Sequence, residues 1–130
     1  MTFRSSITTA FLLALAGAMP AAAQGMSKSS ETIQVSVGTT KTIALKENPS
    51  TGYQWHINAA QSSNLGAVRV SDAGYESGTS HLVGAAGTHS WRIEGQAQGT
   101  ARIVFDYSRP WEHVAPAQRH VVRVEISQSR

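Results

Sequence analysis

The chain is expected to fold as an all-β sandwich of seven to eight antiparallel strands, on three observations. Apolar residues recur at every second position over most of its length, the period of a strand with one face buried. No window carries the three-to-four-residue period of an amphipathic helix. Gly, Pro and Asn interrupt the alternation at short intervals, so the segments between turns have the length of ordinary strands.

The N-terminus has a different character. Arg4 supplies a positive start, residues 10–18 an apolar stretch, and Ala21-Ala22-Ala23 a small-residue cleavage site, so residues 1–23 read as a secretory signal peptide and the chain as exported, to periplasm or medium. The apolar stretch is far shorter than the ~20 residues of a membrane span, and no membrane anchor is expected. Removing 23 of 130 residues leaves 107, enough for one core. Residues 24–30 are small and polar and read as a flexible leader, which places the domain at 31–130. Cysteine is absent, so packing and strand pairing alone must hold the domain, and monomer is the default state. The formal charge is +3, and the basic residues are scattered on alternating positions without forming a run, which speaks against a nucleic-acid partner.

The strands follow in order. Ile33, Val35 and Val37 alternate with Gln34 and Ser36; after Gly38, Ile43 and Leu45 alternate with Thr42 and Ala44. Tyr53, Trp55 and Ile57 repeat the pattern, and Val68 with Val70 follows a polar connector over 58–66. Leu82 and Val83 suggest a short edge strand. Trp91 and Ile93 alternate with Arg92 and Glu94; Ala101, Ile103, Phe105 and Tyr107 alternate with Arg102, Val104 and Asp106; Val122, Val124 and Ile126 alternate with Arg123 and Glu125. This many short strands in about a hundred residues fit an immunoglobulin-like β-sandwich, whose connections gather at two ends and can unite loops distant in sequence.

Three loops stand out chemically. In Asn48-Pro49-Ser50-Thr51-Gly52-Tyr53, Pro49 fixes its own φ and extends Asn48, and Gly52 can take a positive φ, so Ser50 and Thr51 form a stiff tip. In the segment 81–88, Gly84 and Gly87 flank Ala85 and Ala86 and suit a hairpin or a close backbone approach. Arg109-Pro110-Trp111-Glu112 places a tryptophan beside an arginine in a proline-stiffened loop, a common binding anchor.

In order and separation these segments resemble the loop triad of chagasin-like inhibitors of papain-family cysteine proteases, which runs Asn-Pro-(Thr)-Thr-Gly-aromatic, Gly-x-Gly-Gly, Arg-Pro-Trp. The resemblance spans essentially the whole mature domain. It implies a reversible, tight-binding inhibitor that occludes the cleft of a papain-like cysteine protease, with Asn48, Pro49, Ser50, Thr51, Gly52, Tyr53, Gly84, Ala85, Ala86, Gly87, Arg109, Pro110 and Trp111 as the protease-binding residues. Ser50 and Thr51 would reach the catalytic Cys-His pair, Trp111 an aromatic wall on the primed side, and residues 84–87 the non-primed subsites. Two positions depart from the pattern. Ser50 keeps the hydroxyl of the more usual threonine, whereas Ala86 replaces a glycine and would be strained if that position needs positive φ.

An enzyme, a cofactor and a metal site are not expected. His56, His81, His89, His113 and His120 lack metal-ligand spacing, His81 and His89 read as solvated strand residues, and Ser108 near Asp106 and His113 lacks a nucleophile elbow. Asp72, Glu76, Asp106 and Glu112 read as surface charges paired with arginine, and Trp55 and Trp91 as core. The alternative is an exported immunoglobulin-like domain that binds protein or glycan without inhibiting anything.

Overall fold

The computed structural model describes residues 26–78 and 85–129. Among these residues seven strands form two layers: β1 (Ser27–Ser36), β2 (Thr40–Glu47), β3 (Gln54–Ile57), β4 (Val68–Glu76), β5 (Gly87–Gly95), β6 (Gly99–Ser108) and β7 (Gln118–Ser127). One sheet has the order β1-β7-β6-β3, the other β2-β5-β4. The expected β-sandwich is therefore present, and the described residues outside strands include two single 3-10 turns, Pro49–Thr51 and Leu65–Ala67. Among the described residues no helix is long and apolar enough to cross a membrane. The short edge strand expected at Leu82 and Val83 lies outside the described residues.

Two expectations about β1 need correction. It pairs in parallel with β7, Ser27 opposite Gln118 through Ser36 opposite Ser127, whereas the other named strand pairs are antiparallel. Alternation reveals which face of a strand is buried and says nothing about its direction. The strand also begins at Ser27, inside the segment expected to be a flexible leader. Its first four residues are polar because they lie on a sheet edge, and they are held by pairing to Gln118, Arg119, His120 and Val121. His120, buried on β7, lies between Ser29 Oγ and Glu31 Oε2, each 2.6 Å from a ring nitrogen.

The inward positions form one core. Ile93, Ile103, Phe105, Val122 and Val124 are fully buried, and Trp91 of β5 meets Phe105 of β6 across the layers with ring centroids 4.9 Å apart. Trp55 and Trp91 are core residues, as the alternation implied. Strand β6 departs from simple alternation, because Val104 and Asp106 on its outer side are also buried. The connector after β3 folds over that side: the Asn58 amide donates to Val104 O at 2.8 Å, the Val104 amide donates to Ser62 Oγ at 2.9 Å, and Ser63 bridges to Arg102. Strand β4 runs six residues beyond Val70, through a bulge between Asp72 and Gly74 where Gly74 has φ 100°. Bulges of this kind kink an exposed edge and discourage pairing with other chains.

Register decides where the loops go. Gln54 lies opposite Ser108, Tyr107 opposite Gln118, Glu47 opposite Gly87 and Glu76 opposite Thr88. The β2–β3, β4–β5 and β6–β7 connections therefore leave the sandwich at the same end.

Asp106 offers a test of the covered outer face. Burial pushes its carboxyl pKa up, but the hydrogen bonds from Arg119 (2.7 and 3.1 Å) and Asn58 (2.8 Å), with the Arg119 charge, outweigh burial and leave it below the ordinary 3.8. A depressed folded-state value means stability that is complete above the unfolded value and lost as pH falls through the folded one. Urea unfolding is expected to show Asp106→Asn less stable than the parent at neutral pH, with the two converging at strongly acid pH. A constant gap down to the lowest pH would contradict this.

Candidate functional site

The β2–β3 loop is rigid for reasons visible in its hydrogen bonds. Asn48 is extended at φ −123°, ψ 87°, Pro49 starts the 3-10 turn, and Gly52 ends it in the left-handed region at φ 86°, its amide donating to Pro49 O at 2.9 Å. The Ser50 hydroxyl donates to Asn48 Oδ1 at 2.6 Å and the Thr51 hydroxyl to Asn48 O at 2.7 Å, so the exposed tip is braced from within. Its neck is tied to both layers. The Asn48 amide donates to Tyr107 Oη at 2.9 Å; Tyr53 stacks on Tyr107 at 5.2 Å; and Glu47, 4% exposed, accepts the Trp55 amide at 2.9 Å.

The β6–β7 loop leans on this one. Residues 109–112 form a turn closed by the Glu112 amide donating to Arg109 O at 3.1 Å, with Pro110 and Trp111 at its centre, where proline favours the second position. Arg109 donates from Nε to Thr51 O at 3.0 Å, lays its guanidinium 4.4 Å from the Tyr53 ring centre, and approaches Glu112 at 3.5 Å. Trp111 is 65% exposed, yet the far edge of its indole rests on Gly52: a Cβ there would lie 2.3 Å from ring atom Cη2. Gly52 thus serves two needs, the positive φ and the close approach of the ring.

Residues Asn48, Pro49, Ser50, Thr51, Gly52, Tyr53, Arg109, Pro110 and Trp111 accordingly form one connected surface at the end of the sandwich. The second segment is divided. Gly84 and His81 lie outside the described residues, and Ala85 and Ala86 approach β5 as irregular chain. Gly87, expected in the loop, is instead the buried first residue of β5, where a Cβ would meet Glu76 O at 2.2 Å and Tyr75 Oη at 2.4 Å. Its glycine serves packing against β4. Among the described non-glycine residues the positive φ belongs to Asn64, so Ala86 carries none of the strain considered from the sequence.

Several residues at this end carry no sequence motif. Val114, 68% exposed in the same loop as Trp111, is an apolar side chain in a polar, proline-bounded stretch. Glu47 occupies the next inward position after Ile43 and Leu45, and a charged residue in that register was the available signal. His89, expected to be solvated, lies between Glu47 and Asp72. The carboxylate of Asp106 is engaged by Arg119 and Asn58, so the serine-triad arrangement dismissed from the sequence has no free acid. A depression lined by Gln34, Gly99, Thr100 and Glu125 opens near the opposite end, away from these loops. The loop end offers a protruding ridge instead.

The sandwich itself is shared with known proteins. Residues 34–126 match the model of the chagasin family peptidase inhibitor I42. The chain belongs to the chagasin family. Amoebiasin-1 of Entamoeba histolytica is 30% identical over 95 residues, covering 73% of this chain and 89% of that one. Chagasin of Trypanosoma cruzi is 34% identical over 82 residues, covering 62% and 74%. A crystal structure of a cysteine protease inhibitor from Entamoeba histolytica superposes with a TM-score of 0.54 at 28% identity, covering 78% of this chain and 95% of that one. As a member of a peptidase-inhibitor family, the chain is an inhibitor and not an enzyme.

Gly52→Ala tests the contact between the loops. The added methyl must displace the indole and adopt positive φ, so a loss of about 1–2 kcal/mol in unfolding free energy is expected, with a change in tryptophan emission from the displaced Trp111. Unchanged stability and emission would show that the indole does not rest on Gly52.

Proposed function

We propose that this chagasin-family chain inhibits papain-like cysteine proteases by inserting its loop end into the active-site cleft. The observation that carries the reading is the bracing of Trp111 on Gly52, with Arg109 tying the Arg-Pro-Trp turn to Thr51 and Tyr53. Ser50 and Thr51 present a stiff tip to the catalytic Cys-His pair, and Trp111 packs on an aromatic wall beside it. Ala85 and Ala86, with Gly84, follow the non-primed side by backbone contacts. Gly87 acts behind them as a packing residue.

The mechanism is occlusion without chemistry. None of these residues supplies an electrophile for a thiolate, and a tip held by its own hydrogen bonds resists the rearrangement that cleavage would need. A standard interface covers ~800 Å² per partner, and nanomolar affinity, ~12 kcal/mol, needs such loops to be ordered in advance. Residues 1–23 act as an export signal in this reading, which places the inhibitor outside the cytoplasm.

Titration of papain with the purified domain is the direct test: reversible, stoichiometric loss of activity is expected, and no loss at micromolar inhibitor would favour a non-inhibitory binding module. Trp111→Ala is expected to fold normally and weaken papain inhibition by about 2 kcal/mol or more, roughly 30-fold. An unchanged inhibition constant would remove Trp111 from the interface. Ala86→Gly is expected to leave inhibition unchanged or weaken it by up to about 1 kcal/mol, because it relieves no strain and adds chain freedom. Tighter inhibition by this variant would show that the position is strained in the complex.

A further inference from the structure

Strand β4 changes face near its end. Val68, Val70 and Asp72 lie opposite Gly95, Ile93 and Trp91 of β5, on the inner side of the three-stranded sheet. Strict alternation would then turn Gly74 inward and Tyr75 outward. The extra residue of the bulge, Ala73, reverses this: Gly74 comes opposite Ser90, and Tyr75 comes opposite His89, whose neighbour on β2 is Leu45. The bulge is held from within by the Gly74 amide donating to Asp72 Oδ1 at 2.8 Å. Bulges that re-aim a side chain are common next to functional sites. The re-aimed ring reaches toward the β2–β3 loop, because its phenol end lies across the first residue of β5: a Cβ on Gly87 would stand 2.4 Å from Tyr75 Oη and 2.6 Å from Cζ. Glu47, at the neck of the β2–β3 loop, pairs with Gly87 from the other side.

We propose that Tyr75 is a further protease-contact residue: its ring covers protease surface beside the β2–β3 tip, on the side away from Trp111, and its hydroxyl donates to a polar acceptor on the rim of the cleft. The proposal rests on the inhibitory reading above. Trp111 leans on Gly52 from the β6–β7 loop and Tyr75 leans on Gly87 from β4, so an exposed aromatic flanks the tip on each side. Tyr75 is 37% exposed, and its hydroxyl has no hydrogen-bond partner among the described residues. In water that hydroxyl costs nothing; against a partner it supplies a directed contact. A tyrosine joins an apolar body to a polar tip, and a ring already packed on Gly87 surrenders little freedom on docking.

The test measures papain inhibition constants and urea unfolding for the parent, Tyr75→Phe, Tyr75→Ala and Ile57→Ala. Tyr75→Phe is expected to unfold like the parent, since its hydroxyl holds no partner in the free protein, and to inhibit about three- to tenfold more weakly, the loss of one interfacial hydrogen bond. Tyr75→Ala is expected to be weaker still, by about thirtyfold. Ile57, also 37% exposed but at the end of β3 away from the loops, serves as the control, and Ile57→Ala is expected to inhibit like the parent. Tyr75→Phe inhibiting as tightly as the parent, or Ile57→Ala weakening inhibition as much as Tyr75→Ala, would overturn the proposal while leaving inhibition intact. Inhibition and stability falling together in Tyr75→Phe would mark a structural role and overturn the contact. Failure of the parent to inhibit papain would overturn the inhibitory reading as well.

Discussion

The guanidinium of Arg109 is the joint on which the loop end depends. It donates through Nε to the Thr51 carbonyl and lies over the Tyr53 ring, so one planar group ties the Arg-Pro-Trp turn to its neighbour by two contacts. A lysine could supply the charge but lacks the flat fork that makes these contacts simultaneous. The joint exists because β3 pairs with β6 in a register that sets Gln54 opposite Ser108. The residue leaving one strand is thereby delivered beside the loop entering the other. The indole of Trp111 lies against Gly52, whose missing Cβ both allows the positive φ of the turn and leaves room for the ring.

Such bracing changes the energetics of binding more than it changes the stability of the fold. Exposed loops ordinarily surrender conformational freedom when they dock, at about 0.5–1.5 kcal/mol for each side chain immobilised. Here the Ser50 and Thr51 hydroxyls, the Asn48 amide and the Arg109 head already have partners within the molecule, so much of that cost is met during folding. Leaving an indole largely in water is unfavourable for a free protein, and the same apolar area becomes a source of affinity when a partner covers it.

The legibility of this molecule in its sequence follows the kind of information each feature carries. Inward positions of β2, β5, β6 and β7 were readable because burial on one face imposes a period of two. The outer burial of Val104 and Asp106 was not, because it depends on a connector folding over the sheet, with Ser62 reaching Val104 from 42 residues away. The direction and early start of β1 were hidden for a related reason: Ser27 to Ser30 are held by edge pairing, which leaves no apolar trace. At the loop end, Pro49, Gly52, Pro110 and Trp111 announced themselves by residue type. Gly87 misled, because a glycine required for packing against Tyr75 looks in sequence the same as one required for a turn. His89 could not be read at all, since its meaning comes from Glu47 and Asp72 on two other strands.

The distribution of buried polar groups gives the fold its asymmetry. Glu47, Asp106 and His120 are the buried acids and histidine among the described residues, and each lies within two residues of the point where its strand meets the loop end. Away from that end the layers meet through Ile, Val, Phe and Trp, contacts that are individually weak, strong in sum and non-directional. Near it, directional bonds are added to them: Glu47 with Trp55 across the layers and with His89 in its own sheet, and Asp106 with Arg119 and Asn58 and His120 with Ser29 and Glu31 on the four-stranded sheet. A hydrogen bond in a low-dielectric setting tolerates little displacement, and a buried charge without its partner is costly. Placing these bonds at the roots of the loops adds directional constraints to a non-directional core at one end, which is the property a rigid wedge requires.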